Sequence, residues 1–218
     1  GQSIIGMKTA SSAAHVTDKP LTSSESATWL DEHFRSNLGD AKEAMDTYFL
    51  SGVNHIFYHG TCMSPNDAAW PGFLFYAAVH FQPVNPFWAD FSALNSYVTR
   101  CQSFLQAGKP DNDVLLFFDA TEMFSVRGRE KMFFHMNQNT PVQSAIGKTA
   151  QSLYDLGYSW DYISDRMVLE DIHVSDGKIV TKGGTTYGAI VVPKCEKMLP
   201  STLEKLVELA GQGAHILV

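Results

Sequence analysis

The sequence predicts an α/β protein with parallel strands, in two parts: a β-loop-α-β-loop unit and, after it, a doubly wound α/β domain. Three observations carry this. The stretch Val53 to Pro65, VNHIFYHGTCMSP, is an apolar run that breaks into a polar, turn-forming end, which reads as a buried strand opening onto His59, Gly60 and Ser64. The helical pattern in front of it begins at Asn37 and stops at Gly52, leading directly into that strand. From Val114 onward, apolar runs of strand length alternate with helical patterns, as in open parallel sheets.

Composition narrows the function classes. Of 218 residues, 44% are apolar and 12% aromatic, ample for a packed core and wrong for global disorder. The net charge of -7 and a pI near 5.5, with no run of Lys and Arg, argue against nucleic acid or an anionic membrane surface as partner. Cys62, Cys101 and Cys195 are widely spaced without a C-x-x-C, so neither a disulfide framework nor a zinc site is indicated. No stretch approaches the ~20 apolar residues of a membrane span, and no signal-peptide pattern opens the chain. Gly1 reads as a tag remnant.

In order, Ala10 to Ala14 reads as a helix ended by Lys19-Pro20, and Pro20 to Ser24 as a short strand running into Glu25. Glu25 sits in a polar cluster before Trp29 and reads either as an exposed loop or capping glutamate or as a catalytic carboxylate at a strand end. Leu38, Ala41, Met45, Tyr48 and Phe49 share one helical face, with Asn37 as N-cap. With two parallel strands flanking this helix, Glu25 and His59 lie at the same end of the sheet, where barrel and open α/β enzymes keep their chemistry.

Asn66 to Trp88 is a long loop carrying Trp70-Pro71-Gly72, His80 and Trp88, and its aromatic density argues for function rather than disorder. Flat rings beside a polar strand end suit a sugar-binding cleft; the competing reading is that Trp70 and Trp88 only cover that end of the fold. Asp90 is placed as the cap of a helix with Leu94, Tyr97, Val98, Cys101, Phe104 and Leu105 on one stripe, ended by Gly108. Lys109 to Asn112 marks a domain boundary.

In the second half Val114 to Phe118, Tyr158 to Ser164 and Ala189 to Val192 read as strands, and Gln143 to Leu156 as a helix with Ile146, Ala150 and Leu153 inward. Ile172 to Val174 and Lys178 to Val180 form a hairpin turned by Asp176-Gly177. Pro200 to Gln212 is a helix with Leu203, Leu206, Val207 and Ala210 inside. Asp119 to Pro141 reads as a second long loop, locally basic, whose Phe133 to Met136 suits a docking surface or a mobile segment. His215 to Val218 begins a fourth strand in which the chain stops, so the sequence reads as a piece of something longer.

With these pieces in place, the ordered motifs SAAHV (Ser12 to Val16), KPLTSSES (Lys19 to Ser26), GVNHIFYHGTCMSP (Gly52 to Pro65), WPG (Trp70 to Gly72) and NPFW (Asn85 to Trp88) resemble the α-L-rhamnosidases of glycoside hydrolase family 106. RCQSFLQAGKPDNDVLLFF (Arg100 to Phe118), DGKIV (Asp176 to Val180) and YGAIVVP (Tyr187 to Pro193) resemble the same proteins, so the similarity runs nearly the whole length. The resemblance implies that residues 1–112 are the last two βα units of a truncated (β/α)8 TIM barrel. It also implies that residues 113–218 are a doubly wound, flavodoxin-like domain of the class I glutamine amidotransferase type, truncated at its C-terminus. Glu25 then falls on the strand end that carries a catalytic carboxylate, and Tyr58 and His59 on the last barrel strand, lining the sugar site with Trp70 and Trp88. Thr61-Cys62-Met63 and Ala27 depart from the family's usual residues.

Glycoside hydrolysis needs two carboxyl groups, ~6.5 to 9.5 Å apart in inverting enzymes. Only Glu25 is offered here, so the second carboxylate, and the ligands of a calcium ion that the resemblance implies for the parent enzyme, are expected from an upstream barrel; no metal site or cofactor is assigned to this chain. Two βα units cannot close a barrel, and the chain alone is expected to be inactive. Cys195, in Val192-Pro193-Lys194-Cys195-Glu196, lacks the glycine-flanked elbow of an amidotransferase nucleophile, so that activity is not expected. The expected partners are a rhamnose-containing glycan and the parent's other domains, and the resemblance alone suggests a secreted or periplasmic parent. The alternative is a non-catalytic scaffold or oligomerisation domain of a β-galactosidase-like multidomain protein.

Overall fold

The computed structural model describes residues 4–125 and 144–218, and within these the backbone alone at Met123. It is a mixed α/β structure with parallel sheets, divided into two compact units: residues 21–108, and residues 1–20 together with 109–218. The reading of Phe133 to Met136 lies outside the described residues.

The 21–108 unit holds β1 (Ser23–Ser26), α1 (Leu38–Leu50), β2 (His55–Tyr58) and α2 (Phe91–Ala107), the last entered through a 3-10 turn at Pro86–Asp90. β1 and β2 pair in parallel with Glu25 opposite Phe57 and Ser26 opposite Tyr58. The helix between them starts where Asn37 accepts from the Gly39 and Asp40 backbone N–H groups at 2.7 and 3.2 Å while Asp40 accepts from Asn37 N, a complete capping box. Ala41, Met45 and Tyr48 form its buried face. Two expectations are corrected. Phe57 is 55% exposed: its side chain lies on the face of β2 that the described residues do not cover. The α2 stripe buries Leu94 and Val98 but leaves Phe104 and Leu105 in solvent, and Asp90 makes no side-chain cap.

The other unit is built on four parallel strands ordered β4-β3-β8-β9, where β3 is Val114–Phe117, β4 Trp160–Ile163, β8 Ala189–Val191 and β9 His215–Leu217. All four residues of β3 are buried, as expected for a central strand covered on both faces. On one face Val114, Leu116, Trp160, Tyr162 and Ala189 pack with Ile146 and Ala150 of the helix Ala145–Asp155. On the other, Leu115, Phe117, Ile163 and Ile190 pack with Leu206 and Leu209 of the helix Pro200–Gly211. That helix therefore buries Leu206 and Leu209, while Leu203 and Val207, expected inside, are 55% and 64% exposed and line an apolar groove of about 720 Å³ with Met198 and Ile216.

Between β4 and β8 the chain forms the short helix Asp165–Glu170 and an antiparallel meander of β5 (Ile172–Ser175), β6 (Lys178–Thr181) and β7 (Thr186–Tyr187). Its Asp176-Gly177 turn has both residues at positive φ, 50° and 71°, the conformation a two-residue hairpin selects Asp-Gly for. A second short helix, Ala120–Ser125, stands where a loop is expected. The N-terminal helix Ile4–Val16 packs along the edge strand β4, with Ile5 in one core and Val16 in the other.

Candidate functional site

The ends of β1 and β2 lie side by side, and the His59 N–H continues the ladder by donating to Ser26 O at 2.7 Å. Glu25 is the third of the four β1 residues, exposed, and its Oε1 accepts from the Thr28 hydroxyl at 2.6 Å. The chain can turn from Ser26 towards Thr28 because Ala27, fully buried, takes a left-handed φ of 69°. A carboxylate on a strand end, free on one oxygen and oriented through the other, can hold or accept a proton at a bound substrate.

Behind the strand ends the residues that follow β2 are tied down by their own side chains. Thr61 Oγ1 donates to Phe81 O at 2.6 Å, and Phe73 N to Ser64 Oγ at 2.8 Å. Gly72 has φ 77°, and a Cβ there would stand 2.5 Å from Ser64 Oγ, so glycine is what lets this turn close. Buried Asn85 bonds His80 O through Nδ2 and receives Phe87 N on Oδ1. The loop is thereby a fixed surface rather than a tether.

The other sequence-predicted residues fall in different surroundings. Tyr58 packs its ring against Phe81 at 4.8 Å and Phe91 at 5.1 Å, its hydroxyl is buried without a hydrogen-bond partner, and burial pushes that phenol up to about 12. His59 is half-buried, edge-on to Phe75 at 5.1 Å, with Nδ1 buried and unpartnered. Trp70 is 69% exposed and stacks on Phe34 at 5.4 Å and 26°, while Trp88, 41% exposed, leans on Phe91. Two residues not singled out beforehand complete this surface: His33, and Phe34 at a left-handed φ of 63°, the first bonded to His80 and the second packed on it. His33 and His80 are 47 residues apart in two loops, and no spacing rule joins them.

The 1–20 and 109–218 unit has its own polar centre. Asp161 of β4, fully buried, accepts from Tyr187 Oη at 2.8 Å and Asn112 Nδ2 at 2.7 Å, and His15 Nδ1 lies 2.9 and 3.0 Å from its two oxygens. Burial opposes its charge, but the His15 contact, the nearby Lys8 ammonium and Asn112 outweigh it and hold the carboxyl below the usual range. At the ends of β3 and β8 burial raises Asp119 to about 6, helped by Glu122 and Asp165. Burial and the same carboxylates push the Cys195 thiol up, the opposite of what a thiolate nucleophile needs. Among the described residues no group of three or more His, Cys, Asp and Glu side chains is placed to hold a metal ion, and no helix is long and apolar enough to cross a membrane.

A carboxylate and an imidazole at adjacent parallel strand ends, in a unit whose loops are dense in flat rings, are the residue types expected of a carbohydrate-acting class of protein. Comparison with known proteins gives this class a definite form. The sequence model of glycoside hydrolase family 106, described as alpha-L-rhamnosidase, matches residues 2–218, and the chain belongs to that family. A protein of Formosa agariphila described as "Putative beta-glucuronidase" is 28% identical over 214 residues, 96% of this chain and 16% of its own length. The solved rhamnosidase of Novosphingobium sp. PP1Y superposes with a TM-score of 0.71 at 23% identity, over 98% of this chain and 19% of that one, and so shares the fold. The chain thus spans less than a fifth of the length of either protein.

Proposed function

We propose that this chain is the portion of a glycoside hydrolase that supplies one catalytic carboxylate, Glu25, and part of the sugar-contacting surface, His59, Tyr58, Trp70 and Trp88, to a parent enzyme acting on α-L-rhamnosides. The single observation that carries the reading is the position of Glu25 in a chain of this family: exposed at the C-terminal end of β1, one strand away from His59, with Thr28 holding one oxygen. Residues 1–112 are read as the last two βα units of a (β/α)8 barrel and 113–218 as a flavodoxin-like domain of the amidotransferase type, except that residues 1–20 group with 109–218 and leave 21–108 as the barrel part. The four parallel strands with helices on both faces support the second half of that reading. The second carboxylate and any calcium ligands that the family implies are read as coming from barrel strands outside this sequence. By the same reasoning the chain alone does not hydrolyse glycosides. The family membership supports a carbohydrate partner, and a secreted or periplasmic location fits a polysaccharide substrate. The raised Cys195 thiol supports the absence of amidotransferase chemistry in the second half, which instead serves as scaffold.

The test is hydrolysis of an aryl α-L-rhamnoside by a longer polypeptide that restores the upstream barrel, beside the same polypeptide carrying Glu25→Gln. Loss of ~10³-fold or more in kcat with the fold intact is expected when a catalytic carboxyl is neutralised. An active parent whose Gln variant keeps its rate makes Glu25 a structural residue. A parent inert on rhamnosides removes the substrate assignment.

A further inference from the structure

Between the two loops that follow β1 and β2, His33 Nδ1 and His80 Nε2 are 2.7 Å apart, with ring centroids at 4.9 Å. At that distance one N–H, and only one, lies between the rings. His80 is 1% exposed and its remaining nitrogen, Nδ1, is buried with no partner. Burial first, then the neighbouring His33, holds His80 below the usual imidazole range, so it stays neutral. Two proton arrangements remain. If His33 donates, the proton of neutral His80 sits on Nδ1, a buried N–H without an acceptor. If His80 donates through Nε2, its Nδ1 is a bare lone pair, the less costly orphan, because unpaired buried donors are rarer than under-satisfied acceptors. In that second arrangement neutral His33 must carry its own proton on Nε2.

His33 is exposed, and the next residue, Phe34, lies between His80, at 5.2 Å, and Trp70, whose ring is 69% exposed. Phe34 reaches that position only by taking φ 63°, a conformation that costs a bulky residue ~1 to 3 kcal/mol and is retained where the surroundings impose it. A flat ring backed by a second ring, with a fixed N–H donor on the adjacent residue, matches the two faces of a pyranose: an apolar C–H face that stacks and oxygens at its rim that accept.

We propose that Trp70 and His33 form a pyranose subsite, in which Trp70 stacks on the sugar and His33 Nε2–H donates to a sugar oxygen, with His80 as the positioning residue that fixes the His33 tautomer. This rests on the carbohydrate reading above and adds residues to it. The acceptor is a hydroxyl oxygen of a neutral sugar or the carboxylate of a uronic acid; both offer the same lone pairs to one donor.

The test uses the 218-residue chain with ¹⁵N-labelled histidine and tryptophan, and its readout needs no turnover. Long-range ¹H–¹⁵N spectra at pH 7 to 8 are expected to show His33 in a single tautomer, protonated at Nε2. His80→Phe, which keeps the ring packing, is expected to give mixed tautomers at His33, and His80→Gln, which can still donate, to restore the single one. Titration with methyl α-L-rhamnoside and, separately, methyl β-D-glucuronide is then expected to move the Trp70 indole and His33 Nε2 resonances together in at least one case, and the responding sugar identifies the acceptor. His33→Phe should weaken that binding about five- to tenfold, the scale of one hydrogen bond. A His33 ring indifferent to His80 overturns the positioning role, and resonances unmoved by both glycosides overturn the subsite. A parent active on rhamnosides with unmoved resonances here sinks the subsite alone; a parent inert on rhamnosides beside a chain that responds to the glucuronide sinks only the rhamnoside assignment.

Discussion

Replacing Asp161 tests whether the buried carboxylate holds the 1–20 and 109–218 unit together. Three donors converge on it: Tyr187 Oη at 2.8 Å, Asn112 Nδ2 at 2.7 Å and His15 Nδ1 at 2.9 Å. In Asp161→Ala the half-buried Asn112 and His15 can turn to water, but Tyr187, 1% exposed, keeps an orphaned hydroxyl, at ~1 to 3 kcal/mol. Lys8, 7% exposed, also loses the nearby charge that opposes its own desolvation. Together with the void left by the side chain, the expected loss is about 3 to 5 kcal/mol. Asp161→Asn keeps the shape and one accepting oxygen and should lose about 1 to 2 kcal/mol. The two differ from wild type in pH dependence as well. The folded carboxyl titrates below its ordinary value near ~3.9, so its stabilisation is complete above that pH and is lost as pH falls through the folded value. The wild-type advantage over Asp161→Asn should therefore be level from pH 5 to 7 and shrink in stronger acid. Urea unfolding followed by the fluorescence of Trp160, buried in the same strand, reads both quantities. An Ala variant within ~0.5 kcal/mol of wild type refutes the reasoning, because surface substitutions lie in that range.

Three further outcomes are expected. Asn37→Ala removes the acceptor of the capping box and should cost ~1 kcal/mol, read as a lowered urea midpoint with unchanged slope. Asp119, raised to about 6 by burial and its acidic neighbours, holds its proton to higher pH in the folded state than in the unfolded one, so its contribution to stability falls as pH rises from ~4 to ~6; unfolding of Asp119→Asn should lack that decline. In an alkaline absorbance titration, Tyr58→Phe should remove a phenolate component with a midpoint near 12.

What could be read from the sequence was what local chemistry dictates. Asn37, Asp176-Gly177 and Pro200 fix a helix start, a hairpin and another helix start within a few residues of themselves, and all three stand as expected. The unbroken apolar run at Val114 likewise gave a central strand, since only burial on both faces explains it. What escaped depends on partners distant in the chain. Of the four residues expected inside the Pro200 helix, Leu206 is buried, whereas Leu203, Val207 and Ala210 are exposed and Leu209 is buried in their place, because the position of the sheet decides which face is covered. The pairing of His33 with His80 and the burial of Asp161 under His15 join residues 47 and 146 positions apart, and nothing in either neighbourhood announces the other. Glu25 was visible as a carboxylate beside a strand, but its Thr28 partner required the left-handed turn at Ala27.

The docking of helix Ile4–Val16 on β4 sets a timetable for synthesis. Its His15 contact with Asp161 spans 146 positions, with the whole 21–108 unit in between. At ~5 to 20 residues per second, the strand leaves the ribosome some ~7 to 30 s after the helix. During that interval the 21–108 unit, whose β1–α1–β2 pairing closes over a short span, has time to form. The first helix must wait with Ile5 and Val16 uncovered, and chaperones that bind short apolar segments have their opportunity there. The delay, rather than the entropy of closing so long a loop, which grows by only ~0.6 kcal/mol per doubling of length, is what separates this docking from the making of the helix.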